Sequence, residues 1–126
     1  MKIRIAINGF GRIGRNLFRL LLNHPEIEVV AINDIADTKT MAHLVKYDSI
    51  HGKLPYDCSF NEEAIIVNGK SHLFFHEKSI ANLDWKALDI DFVIESTGKY
   101  KTFDEINAHV LAGAKKVIYG GTPILL

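Results

Sequence analysis

The sequence predicts an α/β fold: a doubly wound, mostly parallel sheet with helices on both faces and an inserted β-hairpin. Short apolar runs, typical of buried parallel strands, alternate with segments of helical periodicity. A glycine-rich turn at residues 9–14 joins the first strand to the first helix. Asn68-Gly69 interrupts the alternation, and this dipeptide favours a two-residue hairpin turn because both turn positions need positive φ. At 126 residues the chain has the length of one domain.

Hydrophobic periodicity and capping signals place the individual elements. Strands are predicted at residues 2–7, 28–32, 64–67, 71–75, 91–95 and 116–119, and the third and fourth of these form the hairpin. Helices are predicted at about 11–22, from Asp37 onward, and from the capping box Thr102–Glu105 to Gly113. Each helix is expected to have one buried face. In the first helix this face holds Ile13, Leu17, Leu20 and Leu21, in the second Met41, Leu44 and Val45, and in the third Phe103, Ile106, Val110 and Leu111.

The glycine-rich turn is the strongest functional signal in the chain. Gly9, Gly11 and Gly14 form the pattern G-x-G-x-x-G, directly after a strand and at the start of a helix. Gly9 permits the tight turn, Gly11 lets a pyrophosphate approach the backbone, and Gly14 lets the helix pack close to the sheet. The free N–H groups and the positive dipole end of that helix then attract phosphates. The turn therefore predicts a dinucleotide site, and a tight strand–helix turn without a ligand is the alternative.

Asp34 stands twenty residues after Gly14, at the end of the second predicted strand. In this fold a carboxylate at that place accepts hydrogen bonds from the adenosine ribose hydroxyls. It would also repel a 2′-phosphate, so it favours NAD over NADP as the cofactor. The alternative is that Asp34 only caps a helix or stabilises a turn.

Two further segments are candidates for contact with the dinucleotide. Arg12 lies in the glycine-rich turn and is placed to neutralise a pyrophosphate, although a solvated surface arginine explains it nearly as well. Residues 96–98, Ser-Thr-Gly, follow a buried strand, where small side chains allow close approach of a nicotinamide ribose. A plain strand-to-helix loop is the alternative for this segment.

Composition and spacing argue against several other functions. The formal net charge is zero, which gives no reason to expect a nucleic acid or a membrane surface as partner. No apolar run approaches the roughly 20 residues of a membrane span, and the first residues show no signal-peptide pattern. A single cysteine cannot form an intramolecular disulfide, which fits a reducing compartment, so we expect a cytoplasmic protein. His72 and His76 would lie about 13 Å apart on a strand, too far to share a metal ion. The single cysteine, Cys58, has no basic neighbour to activate its thiol.

Several motifs, in order, resemble phosphorylating glyceraldehyde-3-phosphate dehydrogenase. They are residues 5–15, 32–34, 46–52 and 95–98, and the likeness runs from residue 1 to about 118. Erythrose-4-phosphate dehydrogenases are similar but typically carry Glu where this chain has Asp34, so the resemblance favours the triose enzyme. It implies NAD as cofactor, a homo-oligomer, and the glycolytic oxidation and phosphorylation of glyceraldehyde 3-phosphate.

The resemblance also implies roles for individual residues. The pyrophosphate and adenosine side would be lined by Gly9, Phe10, Gly11, Arg12 and Ile13. Asp34 would hold the adenosine ribose, and the segment with Glu77 and Lys78 would run past the adenine. The nicotinamide half would be bordered by Ser96, Thr97 and Gly98. Together with Gly14, these are the predicted site residues. No catalytic residue and no metal ligand is predicted.

Two departures from the family pattern limit what we expect of the chain. The family usually continues Ile-Ser-Ala-Pro after the strand that ends near Ile118, whereas this chain continues Tyr-Gly-Gly-Thr-Pro at 119–123. The family's nucleophilic cysteine, in a Ser-Cys-Thr-Thr-Asn segment, and its histidine base have no counterpart in the 126 residues. We therefore expect a single NAD-binding domain, residues 1–126, without the catalytic domain and inactive alone. A stand-alone nucleotide-binding or regulatory module, and a fragment without cofactor affinity, are the alternatives.

Overall fold

The computed structural model describes residues 2–48 and 52–119, and a seven-stranded sheet forms the centre of this part of the chain. In chain order, the strands are β1 Ile3–Asn8, β2 Ile27–Asn33, β3 Tyr47–Asp48, β4 Gly52–Lys53, β5 Cys58–Phe60, β6 Ala64–Val67, β7 Lys70–Phe75, β8 Phe92–Glu95 and β9 Lys116–Tyr119. The helices are α1 Arg12–Leu21, α2 Thr38–Lys46 and α3 Phe103–Leu111, and a 3₁₀ turn covers Ile80–Asn82. No helix of the described residues is long and apolar enough to cross a bilayer.

The strand order β5-β6-β7-β2-β1-β8-β9 confirms the predicted doubly wound, mostly parallel sheet. Strand β1 pairs in parallel with β2 on one side and with β8 on the other. The chain thus winds away from β1 in both directions, and ligands of such sheets bind at this switch point, beyond the carboxyl ends of the strands.

The predicted hairpin is also present, with Asn68 at φ 52° and Gly69 at φ 81°. It joins the main sheet because β7 pairs in parallel with β2. The short strand β5, which the sequence analysis did not predict, extends the sheet beyond the hairpin by pairing antiparallel with β6.

Alternating side chains of β1 build two cores, one on each face of the sheet. Ile5 and Ile7 point to the face covered by α1 and α2, where they join a large apolar cluster with Phe18. Ala6 points to the opposite face, where Trp85 is completely buried and forms the centre of a smaller cluster. Because both faces are covered, the central strands read as continuous apolar runs in the sequence.

The predicted buried faces of two helices were partly wrong. In α1, Leu20 is 76% exposed and Ile13 is 46% exposed, and the residues that are buried instead are Gly14 and Phe18. In α3, Phe103, Val110 and Leu111 are exposed, while Ile106 and His109 are buried. Sequence periodicity weights only apolar residues, so it could not recognise a glycine and a histidine as the inward positions of these faces. The prediction for α2 was correct, since Met41 and Val45 are buried and Leu44 packs against them.

His72 on β7 is a buried side chain with a fixed tautomer. Its ring packs edge-on against Phe18, and its Nδ1–H donates to the Val29 carbonyl at 2.6 Å. The other ring nitrogen, Nε2, is buried and has no partner among the described residues. Burial lowers the pKa of His72 below its ordinary value, because the charged imidazolium would lose hydration.

The depressed pKa of His72 makes stability depend on pH in a definite direction. The unfolded chain binds this proton near pH 6.5 and the folded chain only at lower pH, so acid favours unfolding. The contribution is constant above about pH 6.5 and is lost as pH falls below it. We expect the urea-unfolding free energy of the His72→Leu variant to fall less than that of the wild type between about pH 7 and pH 5. Equal losses in the two proteins would contradict this assignment.

Candidate functional site

A cleft of about 230 Å³ lies at the carboxyl ends of β1, β2 and β8. These strands end at Asn8, Asn33 and Glu95, and the pairing registers place Asn33 and Glu95 directly beside Asn8. Seven of the predicted site residues line the cleft: Gly9, Gly11, Asp34, Glu77, Lys78, Ser96 and Thr97. The structure thus brings together residues that lie up to 88 positions apart in the sequence.

Two glycines of the motif are required by the packing of the protein itself. Gly9 has φ +95°, and a Cβ there would lie 2.6 Å from the backbone nitrogen of Thr97. A Cβ at Gly14 would overlap the Gly9 carbonyl oxygen. Ser96 ties the same turn down, because its hydroxyl donates to the Gly9 carbonyl at 2.7 Å. The turn therefore fits tightly against the loop after β8.

Gly11 differs from these two glycines because nothing lies within 4 Å of a Cβ built on it. It is the N-cap residue of α1 and makes no side-chain capping bond, so it leaves the first-turn N–H groups open to an anion. The packing of the protein gives no reason for a glycine at this position, and an N-cap would accept several other small residues. A ligand that approaches the backbone closely does give such a reason.

Asp34 is held against the glycine-rich turn by its own hydrogen bonds. Its Oδ2 accepts from the Phe10 backbone N–H at 2.6 Å, and its Oδ1 accepts from the Ala36 N–H at 2.9 Å. A carboxylate offers about four acceptor positions, so each oxygen keeps capacity for one more donor. The fixed carboxylate thus fits a partner with two adjacent hydroxyl groups.

Five predicted site residues do not line the cleft. The Phe10 side chain lies in the core, at ring-centre distances of 5.5 Å from Phe18 and 6.0 Å from Phe74, so only its backbone serves the site. Gly14 lies beneath the turn. Arg12, Ile13 and Gly98 are exposed at the rim, and Gly98 has φ +74°.

Comparison with known proteins identifies the family. The family model described as "Glyceraldehyde 3-phosphate dehydrogenase, NAD binding domain" matches residues 3–103. The chain belongs to this family. It is 49% identical to the glyceraldehyde-3-phosphate dehydrogenase of Geobacillus stearothermophilus over 94% of its own length, and 53% identical to that of Thermotoga maritima over 91%. It spans 35% of the length of each relative.

Membership in the family confirms the predicted fold and makes NAD the cofactor of this domain. The residues at the cleft fit such a group on structural grounds. Gly11 leaves room for a pyrophosphate beside a helix N-terminus, and Asp34 presents two free acceptor positions at the end of β2. Which side chains contact the cofactor stays a prediction.

The sequence analysis missed the polar floor of the cleft. Asn33 donates through Nδ2 to Asn8 Oδ1 at 2.8 Å, and Asn8 donates through its own Nδ2 to Glu95 Oε1 at 2.7 Å. The Asn33 amide also exchanges two hydrogen bonds with the backbone of Glu77, which fixes the loop after β7. The available signal was the polar residue that ends each of three buried strands, but its meaning depends on knowing that the strands are neighbours.

Glu95 is the charged centre of this floor. Burial raises the pKa of its carboxyl, but hydrogen bonds from His109, Thr97 and Asn8 outweigh burial and hold the pKa below its ordinary value. The group is therefore an anion that is 1% exposed, stabilised by donors that surround it.

The different roles of the glycines lead to a prediction about stability. Gly14→Ala should lower the unfolding free energy by about 3 kcal/mol, because the new Cβ overlaps the Gly9 carbonyl and the turn must move. Gly11→Ala should lower it by less than about 1 kcal/mol, since only an N-cap preference is lost. Chemical unfolding of both variants measures the difference. A Gly11 variant as unstable as the Gly14 variant would show that Gly11 also serves packing.

Proposed function

We propose that this chain is the cofactor half of a phosphorylating glyceraldehyde-3-phosphate dehydrogenase and binds NAD along the cleft. The observation that carries the proposal is the fixed Asp34 carboxylate beside the open space at Gly11. When bound, NAD supplies the hydride acceptor for oxidation of glyceraldehyde 3-phosphate. The residues of this chain bind the cofactor and orient it.

The cleft supports an orientation for the dinucleotide. The pyrophosphate would lie on the backbone of Gly9 to Gly11 at the start of α1, near the exposed Arg12 and Ile13. Asp34 would accept from the adenosine ribose, and the loop that carries Glu77 and Lys78 would border the adenine. The nicotinamide half would extend towards the loop Ser96-Thr97-Gly98 at the other end of the cleft. Catalytic groups for the sugar substrate would come from outside these 126 residues.

The proposal includes the cellular setting and the assembly. A glycolytic role places the protein in the cytoplasm. Self-association is supported by exposed apolar side chains on α3 and β9, above all Leu111 at 81% and Phe103 at 58% exposure. Among the described strands β9 is also an edge strand, which can add a partner strand. Sedimentation equilibrium should give a mass above the 14.2 kDa of one chain.

The Asp34 carboxylate should make the chain prefer NAD to NADP. A 2′-phosphate would lie against this fixed negative charge, so we expect NADP to bind roughly tenfold more weakly or worse. Asp34→Ala should weaken NAD and narrow the difference, because the ribose acceptor and the like-charge repulsion disappear together. Calorimetric titration of both cofactors measures this. Equal affinities in the wild type would refute the role of Asp34.

The chain alone should show no turnover with glyceraldehyde 3-phosphate, phosphate and NAD. A thiol nucleophile needs an adjacent base, and no described residue plays that part for Cys58. Among the described residues its Sγ donates only to the Ala42 carbonyl, at 3.6 Å, and burial raises the pKa of the thiol although the charge of Lys46 opposes this. A spectrophotometric assay of NADH formation tests this. Activity that disappears in Cys58→Ser would overturn the assignment.

A further inference from the structure

A chain of buried hydrogen bonds runs from the wall of the cleft into the core on the far face of the sheet. Thr97, on the wall, donates to Glu95 Oε2 through its backbone N–H at 3.0 Å and its hydroxyl at 2.7 Å. His109 Nε2 lies 2.8 Å from Glu95 Oε1. Trp85 Nε1 lies 3.0 Å from His109 Nδ1. Trp85 and His109 are fully buried, and neither lines the cleft.

Trp85 fixes the direction of both bonds that the His109 ring makes in this chain. An indole N–H only donates, so His109 Nδ1 must accept and carries no proton. The imidazole is then neutral, with its proton on Nε2, and Nε2–H donates to Glu95. The contact between His109 and Glu95 is therefore a hydrogen bond from a neutral ring and not an ion pair.

The Glu95 carboxylate has its full set of donors. It accepts one bond from Asn8, one from His109 and two from Thr97. Four bonds use all the positions that a carboxylate offers. If His109 were lost, the buried anion would lack a donor, and leaving such a group unsatisfied is costly. Of the remaining donors, Asn8 is 2% exposed and is also held by Asn33, whereas Thr97 is half-buried and lies at the wall of the cleft.

We infer that His109 is a positioning residue for the cofactor: locked by Trp85, it holds the Glu95 carboxylate, and Glu95 holds Thr97 in the position that the cleft presents to NAD. The inference rests on the proposed function, because it assigns remote residues to the same site. A purely structural role at the interface of α3 and the sheet would be served as well by apolar side chains. The polar chain adds a defined place for Thr97, which an apolar pair would not supply.

Two variants of His109 test the inference by NAD titration near neutral pH. His109→Leu removes the donor to Glu95, and we expect NAD to bind roughly tenfold more weakly. At metal sites, the loss of a residue that hydrogen-bonds a metal ligand has an effect of this size. His109→Gln keeps an N–H donor that can reach Glu95, and its affinity should stay near that of the wild type. His72→Leu is the matched control, because it removes the other buried histidine of the described residues, which among them bonds only Val29 and does not line the cleft.

A double-mutant cycle separates positioning from simple destabilisation. If His109 acts through Thr97, then the effect of His109→Leu on NAD affinity should be smaller once Thr97→Val has removed the hydroxyl, which makes the shorter of the two Thr97 bonds to Glu95. Additive effects of the two substitutions would overturn the inference. If His109→Leu does not fold, Trp85→Phe takes its place in the cycle. It keeps the ring packing and should weaken NAD by about threefold, as for loss of one ordinary hydrogen bond.

The tautomer is tested directly by the ¹⁵N chemical shifts of the His109 ring. We expect a protonated Nε2 and an unprotonated Nδ1 in the wild type, and the reverse tautomer or an imidazolium would overturn the inference. If the wild type binds NAD but His109→Leu is folded and binds it equally well, the inference alone fails. If the folded wild type does not bind NAD, the proposed function fails and takes the inference with it.

Discussion

The hydrogen bonds of one side chain, Asn8 at the end of the central strand, link the ends of three strands at the cleft. Its amide accepts from Asn33 at the end of β2 and donates to Glu95 at the end of β8. Both contacts require that the three parallel strands end in register, which the pairing of β1 with β2 and β8 provides. Because Asn33 in turn fixes the Glu77 backbone, the two ends of the cleft share a single support.

The elements that the sequence predicted correctly are those with local signals. The glycine pattern, the Asn-Gly turn and the capping box at Thr102 each act through backbone geometry within a few residues, so they need no knowledge of the fold. Five of the seven cleft-lining residues followed from the glycine pattern and from the rule that the carboxyl ends of parallel strands meet at one edge: Gly9, Gly11, Asp34, Ser96 and Thr97. The other two, Glu77 and Lys78, were implied only by the family resemblance.

The features that could not be predicted from the sequence depend on contacts between residues that lie far apart in the chain. His109 is buried only because its two ring nitrogens meet Trp85 and Glu95, 24 and 14 positions away. A histidine without those partners would be expected at the surface, and so the inward face predicted for α3 contained Ile106 but not His109. The burial of Phe18 follows from contacts with Phe10 and His72, which lie on other elements.

The two buried histidines show how one residue type serves different ends. His109 has partners for both ring nitrogens, so its tautomer is set by a hydrogen-bond donor and an acceptor. His72 has one partner among the described residues, the Val29 carbonyl, and its Nε2 is buried without one. A proton added to His72 Nε2 would find no hydrogen-bond acceptor among the described residues, so protonation of this ring lowers the stability of the folded state. His109 instead links the core to the cleft, because its Nε2–H donates to the Glu95 carboxylate, which also accepts two bonds from Thr97. One buried histidine therefore makes the stability of the folded state depend on pH, and the other fixes the carboxylate that holds a residue of the cofactor cleft.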